Sequence, residues 1–212
     1  MRKVPFKIGE YYHIYNRGVD KRNIFSDQND FLRFFQSMDE FNVVDASGGI
    51  YASSFQLRHP MFKSRSRLVD FVCYCVNPNH YHFILTPLVD EGIEKFMQKL
   101  GNGYTKYFNH KEKRSGSLFQ GRFKSKHIDS NEYLLHLSVY VNLNNKVHDI
   151  ELRHPMSKSS WNEYLGKDNG FCQKDVVLGQ FRNTEEYKEF SENTLAGILE
   201  RKLLLKEIED ML

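Results

Sequence analysis

Two histidines two residues apart, His80 and His82, stand in a run of strand-forming residues, Val69 to Val76, then Asn77-Pro78-Asn79, then His80-Tyr81-His82-Phe83-Ile84-Leu85. Alternate side chains of a pleated strand share a face, so both imidazoles can converge on one ion while Tyr81, Phe83 and Leu85 point the other way. Neutral imidazole is a common metal ligand, which makes this a candidate metal site. The plainer reading is a pair of half-buried strand histidines with no ligand.

A second set of reactive groups follows about fifty residues later. Ser130 to Asn144 reads as a helix with Ser130 as N-cap and Leu134, Leu137 and Val141 as its buried seam. At about 100 degrees per residue, Tyr133, Tyr140 and Asn144 lie within roughly 40 degrees of one another on the remaining face. Either tyrosine could present its hydroxyl beside the amide, and a rim-of-core tyrosine with a solvated neighbour has the same spacing.

Between the histidines and that helix the chain turns basic and glycine-bearing, from Lys111 through Arg114-Ser115-Gly116-Ser117-Leu118-Phe119-Gln120-Gly121-Arg122-Phe123-Lys124-Ser125-Lys126. Arg114, Arg122, Lys124 and Lys126 supply cations, and Phe119 and Phe123 supply flat faces for unstacked bases. A solvated loop running into an edge strand protected by lysines accounts for the same composition. Lys3, Lys7, Arg17, Lys21 and Arg22 could extend such a track.

The elements that would position these groups are legible in outline. Tyr11 to Gly18 reads as a first strand closed by a turn, and Phe31, Phe34, Phe35, Met38 and Phe41 recur at helical spacing behind the capping candidate Asp27. Residues 44 to 66 read as a loop, and about 68 to 86 as the histidine-bearing hairpin. A helix over about 90 to 109 carries the stripe Ile93, Phe96, Met97, Leu100 and Tyr104. From 171 to 193 short helical and loop signals mix, and 194 to 212 reads as an amphipathic helix that could pack on the core, the favoured reading, pair with another subunit or contact DNA.

The chain has 212 residues, a formal net charge of +3 and 14% aromatics, which suits one domain with an extension and excludes nucleic-acid binding by bulk charge alone. Cys73, Cys75 and Cys172 form neither a paired framework nor a Cys-x-x-Cys knuckle, as expected in a reducing compartment. No apolar run approaches spanning length and no signal peptide is evident, so the expectation is a cytoplasmic protein with no membrane partner.

Taken in order, these stretches resemble the single-tyrosine HUH transposases, and within them the REP-associated tyrosine transposases. The resemblance runs from Tyr11 to Tyr164. It is carried by Tyr12-His13-Ile14-Tyr15-Asn16-Arg17-Gly18, Asn77-Pro78-Asn79-His80-Tyr81-His82, Arg114 to Ser125, Glu132-Tyr133-Leu134-Leu135, Tyr140 to Asn144, and Ser159-Ser160-Trp161-Asn162-Glu163-Tyr164.

The resemblance implies an α+β fold, a ferredoxin-like antiparallel sheet with helices on one face. It places a transposase domain at 1 to 165 and a mainly helical C-terminal extension at 166 to 212. By motif position Tyr140 is the nucleophile and Tyr133 the runner-up, with Asn144 joining His80 and His82 around a divalent ion. The family implies Mg2+ or Mn2+; two imidazoles would also accept zinc by softness. The implied substrate is single-stranded DNA bearing a hairpin, contacted by Arg17, Arg114, Phe119, Arg122, Phe123, Lys124 and Lys126. The implied product is a 5′-phosphotyrosine, and both a homodimer and a monomer are compatible with it. Asn145 departs from relatives that often carry proline there. The rival readings are a hairpin-binding protein that does not cut and a structural zinc site.

Overall fold

The computed structural model describes residues 5 to 44, 66 to 150 and 154 to 210. The loop expected over 44 to 66 and the cation of Lys3 therefore fall largely or wholly outside the described residues. Five strands form one sheet: β1 (Tyr11–Arg17), β2 (Val69–Asn77), β3 (His80–Pro87), β4 (Lys124–Ile128) and β5 (Lys158–Ser159), in the order β4-β1-β3-β2-β5 with every neighbour antiparallel. Helix α1 (Gln28–Glu40) follows β1 and helix α2 (Gly92–Lys111) follows β3. The first four strands with these helices make the β-α-β-β-α-β ferredoxin-like arrangement. The α+β class, the antiparallel sheet and the helical C-terminal region are all as expected.

One part of the expectation is corrected: helices cover both faces of the sheet. Tyr12, Ile14, Tyr81, Phe83 and Leu85 pack with Phe34, Phe96 and Tyr104 on the α1/α2 side. Val72, Cys73, Cys75 and Ile84 pack on the opposite side with Leu134, Leu137 and Val141 of α3 (Asn131–Asn142). A register shift between Phe71 and Cys73 turns the consecutive residues Val72 and Cys73 to the same α3 side. The central strands are thus apolar on both faces, and a sheet so built must be covered twice.

Local signals fix the ends of the elements. Asp27 caps α1, its side chain accepting from the Asp30 amide at 3.0 Å. Ser130 caps α3, accepting from the Tyr133 amide at 3.2 Å. Helix α3 stops at Asn142 rather than running through Asn144; Leu143 leaves helical geometry at φ −112°, and a single turn, α4 (Asn144–Val147), follows. After α5 (Trp161–Tyr164) and α6 (Asp175–Leu178) comes α7 (Thr184–Asp210), which begins ten residues earlier than the apolar spacing predicts. The cause is a cap the periodicity does not register: Asn183 Oδ1 accepts from the Glu186 amide at 2.9 Å while the Glu186 carboxylate accepts from the Arg182 amide at 2.6 Å. Tyr187, Leu195, Ile198 and Leu199 then pack on the α3 cluster, whereas Leu203 to Leu205 are exposed. No helix of the described residues is long and apolar enough to cross a membrane.

Candidate functional site

Strand pairing assembles the site on the α3 side of the sheet. His80 and His82 face that side, and their rings stand 5.4 Å apart. On the neighbouring strands His80 pairs with Arg17 and Asn77, and His82 with Tyr15 and Cys75. Directly opposite residues of paired strands share a face, so Tyr15 and Arg17 of β1 and Lys124 and Lys126 of β4 join the histidines there.

Asn144 arrives from the turn after α3. Its Oδ1 lies 2.8 Å from His80 Nε2, and both atoms lie within 3.0 Å of Asn77 Nδ2. His80 Nδ1 is 2.6 Å from Asn79 Oδ1, an oxygen that can only accept, so Nδ1 carries the ring proton. His80 Nε2 and Asn144 Oδ1 are then two acceptors that share one donor in the metal-free chain, the Asn77 amide, whose two protons can serve both. Adjacent ligands of an octahedral ion with bonds of about 2.1 Å stand roughly 3.0 Å apart, so the spacing suits a small divalent cation. No three His, Cys, Asp or Glu side chains cluster as a metal centre among the described residues. A cation here would take the amide oxygen as its third protein donor.

Tyr140 completes the group from α3. Its ring meets His82 edge-on at 5.4 Å and 87°, and His13 at 6.4 Å and 82°. Tyr133, also on α3, lies instead under the ammonium of Lys126, 4.6 Å from its ring centre. Of the two sequence candidates, Tyr140 is therefore the one brought to the histidines. Burial raises its pKa, and the Asn144 amide works in the opposite direction by favouring the phenolate.

Two further histidines belong to the neighbourhood and were not singled out from sequence. His13 Nε2 lies 2.9 Å from His82 Nδ1, the two rings nearly coplanar at 21° with centres 5.1 Å apart, and His148 stands 4.8 Å from His80. His13 fills the alternate position to Tyr15 on β1, so strand alternation was the available signal. Burial pushes His80 and His13 down to about 4 and His82 well below its ordinary value, which leaves uncharged imidazoles free of competing protons.

The basic loop is tied to this edge of the sheet by main-chain bonds. The Gly18 amide donates to Asn79 O at 2.8 Å, Val19 to Leu118 O at 3.0 Å and Gln120 to Arg17 O at 2.8 Å. A Cβ at Gly18 would fall 2.1 Å from the Arg22 carbonyl oxygen, so this turn closes only with glycine. Arg17, Arg122, Lys124 and Lys126 are exposed there. Arg114 is half-buried, donating to Ser117 O at 3.0 Å and lying over the Phe108 ring. Phe123 is half-buried beside Phe6, the rings 6.4 Å apart. Phe119 is not a free stacking face. It is 5% exposed, meets Tyr81 edge-on at 5.8 Å and belongs to the core under the sheet. The bridge between Gly18 and Phe119 turns the ring inward, which a glycine-rich composition does not reveal.

No protein-family model matches the chain, and no curated protein does. Among solved structures it is similar to that of a REP-associated tyrosine transposase bound to a REP hairpin, with a TM-score of 0.53 over 84% of this chain and 92% of that one. The chain has the fold of that transposase. At 16% identity the likeness is one of fold, so the case for chemistry rests on the side chains described above.

Proposed function

We propose that the chain is a transposase, a single-stranded DNA nicking and joining enzyme that uses Tyr140 as nucleophile on hairpin-bearing DNA. The observation that carries this is the placement of Tyr140 against His82 and beside the His80–Asn144 pair, within one subunit. The hairpin in the similar structure agrees with the basic edge here. Exposed Arg17, Arg122, Lys124 and Lys126 would contact phosphates, and half-buried Arg114 and Phe123 would shape the loop that presents them.

In the reaction, the Tyr140 oxygen attacks phosphorus in line with the bond to the 3′ oxygen. The new O–P bond forms, the old one breaks with its electron pair on the 3′ oxygen, the phenol proton passes to solvent, and the 3′ oxygen takes a proton from solvent. The products are a 5′-phosphotyrosine and a free 3′-hydroxyl. A second 3′-hydroxyl can reverse the step and join strands without ATP, because the ester bond is conserved. His80, His82 and Asn144 would hold a divalent ion, Mg2+ or Mn2+, which when bound withdraws charge from a non-bridging phosphate oxygen. Asn144 also orients the phenol, and the buried flank of Tyr140 limits competing water.

The test is covalent capture. A labelled single strand carrying a hairpin should become attached to the wild-type chain in Mn2+ and not to Tyr140→Phe. Binding of the hairpin without any adduct, in wild type and variant alike, would leave the reading of a DNA-binding protein that does not cut.

A further inference from the structure

Only an unprotonated ring nitrogen of His80 or His82 can ligate, and the partner on the ring's other nitrogen decides which of the two keeps the proton. Behind His80 stands Asn79 Oδ1 at 2.6 Å, an acceptor that fixes the proton on Nδ1. Behind His82, among the described residues, the hydrogen-bond partner is neither a carboxylate nor a carbonyl but another imidazole, His13 Nε2, at 2.9 Å from His82 Nδ1.

We infer that His13 is the positioning residue of His82: it accepts the His82 Nδ1 proton and thereby leaves Nε2 bare and aimed at the cation. The assignment rests on the proposed cation site and goes beyond it, because none of the three proposed ligands is His13.

Three observations carry it. A hydrogen bond between two facing ring nitrogens holds one proton, and the two nitrogens cannot both donate. With the proton on His82 Nδ1, His82 Nε2 has a lone pair and can ligate; with it on His13 Nε2, His82 carries Nε2–H and cannot. Both residues are buried, at 8% and 9% exposure, so solvent does not substitute for either partner. The ring is also held in place from several sides: His13 meets it nearly coplanar and edge to edge, centres 5.1 Å apart at 21°, Tyr15 lies 5.6 Å away, and Tyr140 stands edge-on at 5.4 Å. Rotation of His82 away from His13 would disturb the contact with the nucleophile as well. Position 13 thus sets the tautomer of a ligand and the ring against which Tyr140 rests.

The experiment uses the full chain with Mn2+ alone as probe. Calorimetric titration of wild type, His80→Ala, His13→Leu and His13→Gln separates the roles. His80→Ala should abolish binding, which tests the cation site itself. His13→Leu should weaken Mn2+ binding by about 10- to 100-fold, the usual effect of removing such a partner. His13→Gln, whose amide oxygen can reach the place of Nε2, should recover most of it. Nitrogen-15 NMR of the metal-free wild type should show His82 protonated at Nδ1, a readout that survives even if the leucine variant does not fold. Equal Mn2+ affinity in wild type and His13→Leu, or a His82 protonated at Nε2, would overturn the assignment while leaving the cation site standing. Absence of Mn2+ binding by the wild type would overturn both.

Discussion

Tyr140 stands edge-on to His82, ring centres 5.4 Å apart at 87°, although 58 residues of chain separate them. The aromatic face of one reacting group is held by the imidazole that would hold the cation, so nucleophile and ion are placed by the same contact. Tyr133 has no share in it, because its ring is occupied by Lys126. Removing the hydroxyl at 140 should therefore abolish adduct formation, whereas Tyr133→Phe should retain it within a few-fold. Both variants should melt within a few degrees of wild type, checked by circular dichroism.

Phe119 tests the opposite kind of assignment. Buried at 5% exposure against Tyr81, it contributes to the core and offers no surface for a base. Phe119→Ala should cost roughly 3–5 kcal/mol of stability by leaving a cavity, read from denaturant midpoints. Hairpin affinity measured well below the new midpoint should stay close to wild type. A selective loss of DNA binding with unchanged stability would return Phe119 to the interface.

These two aromatics show what the chain could and could not announce. The His pair, the cap at Asp27 and the cap at Ser130 were legible because they rest on local spacing: alternation on a strand, or a short polar residue ahead of an apolar period. Tyr140 was legible only with the help of resemblance, since helical phase leaves Tyr133 in play. Asn144 reaches His80 by a different route from the one helical phase suggests, across the break at Leu143. His13 was passed over and Phe119 misplaced for one reason. Which strand pairs with β3, and which way a loop ring turns, are decided by contacts distant in sequence that periodicity does not encode.

Acidification should expose the histidine cluster thermodynamically. In the metal-free protein His13 and His80 have pKa values lowered by burial to about 4 and His82 is lowered well below its ordinary value, against 6.5 in the unfolded chain. Between these values the unfolded state binds more protons than the native one, so stability rises with pH and is lost on going down from about pH 6.5 toward 4. Melting curves in EDTA across this window should fall steadily with pH. His13→Leu should reduce the slope by up to about 1.4 kcal/mol per pH unit, one proton's share. A flat profile would contradict the burial of neutral imidazoles.

Chelation at neutral pH should do little to the fold. The candidate ligands already have internal partners, His80 on Asn79, His82 on His13 and Asn144 beside Asn77, and the core packs around them. Treatment with EDTA should leave the melt cooperative and nearly unshifted while abolishing adduct formation. Collapse of the fold on chelation would instead mark a structural zinc.

The basic edge predicts a salt dependence. Arg122, Lys124 and Lys126 are exposed and follow the edge strand toward the histidines, so each that meets a phosphate releases counterions on binding. For a single strand, each alanine substitution should flatten the slope of log affinity against log salt by about 0.7. Arg114→Ala should behave differently, because its guanidinium is engaged with Ser117 O and Phe108; its loss should loosen the loop and lower affinity with a smaller change of slope.

The end of α3 is held from the C-terminal region. The Tyr187 hydroxyl of α7 accepts from Asn142 Nδ2 at 3.1 Å and shares a hydrogen bond with Ser138 Oγ, and Asn142 Oδ1 accepts from Ser160 Oγ at 2.6 Å. Asn142 is wholly buried, two residues after Tyr140 and two before Asn144, so this network fixes the helix end that carries both. Tyr187→Phe strands the Asn142 amide while Ser138 keeps its bond to Leu135 O, and should cost about 1–3 kcal/mol. Because the loss falls on the position of α3 and not on the basic edge, adduct formation should drop more than hairpin affinity. In a double-mutant cycle with Asn142→Ala, the two changes should be strongly non-additive. Additive effects would mean that α7 stabilises the fold without steering the tyrosine.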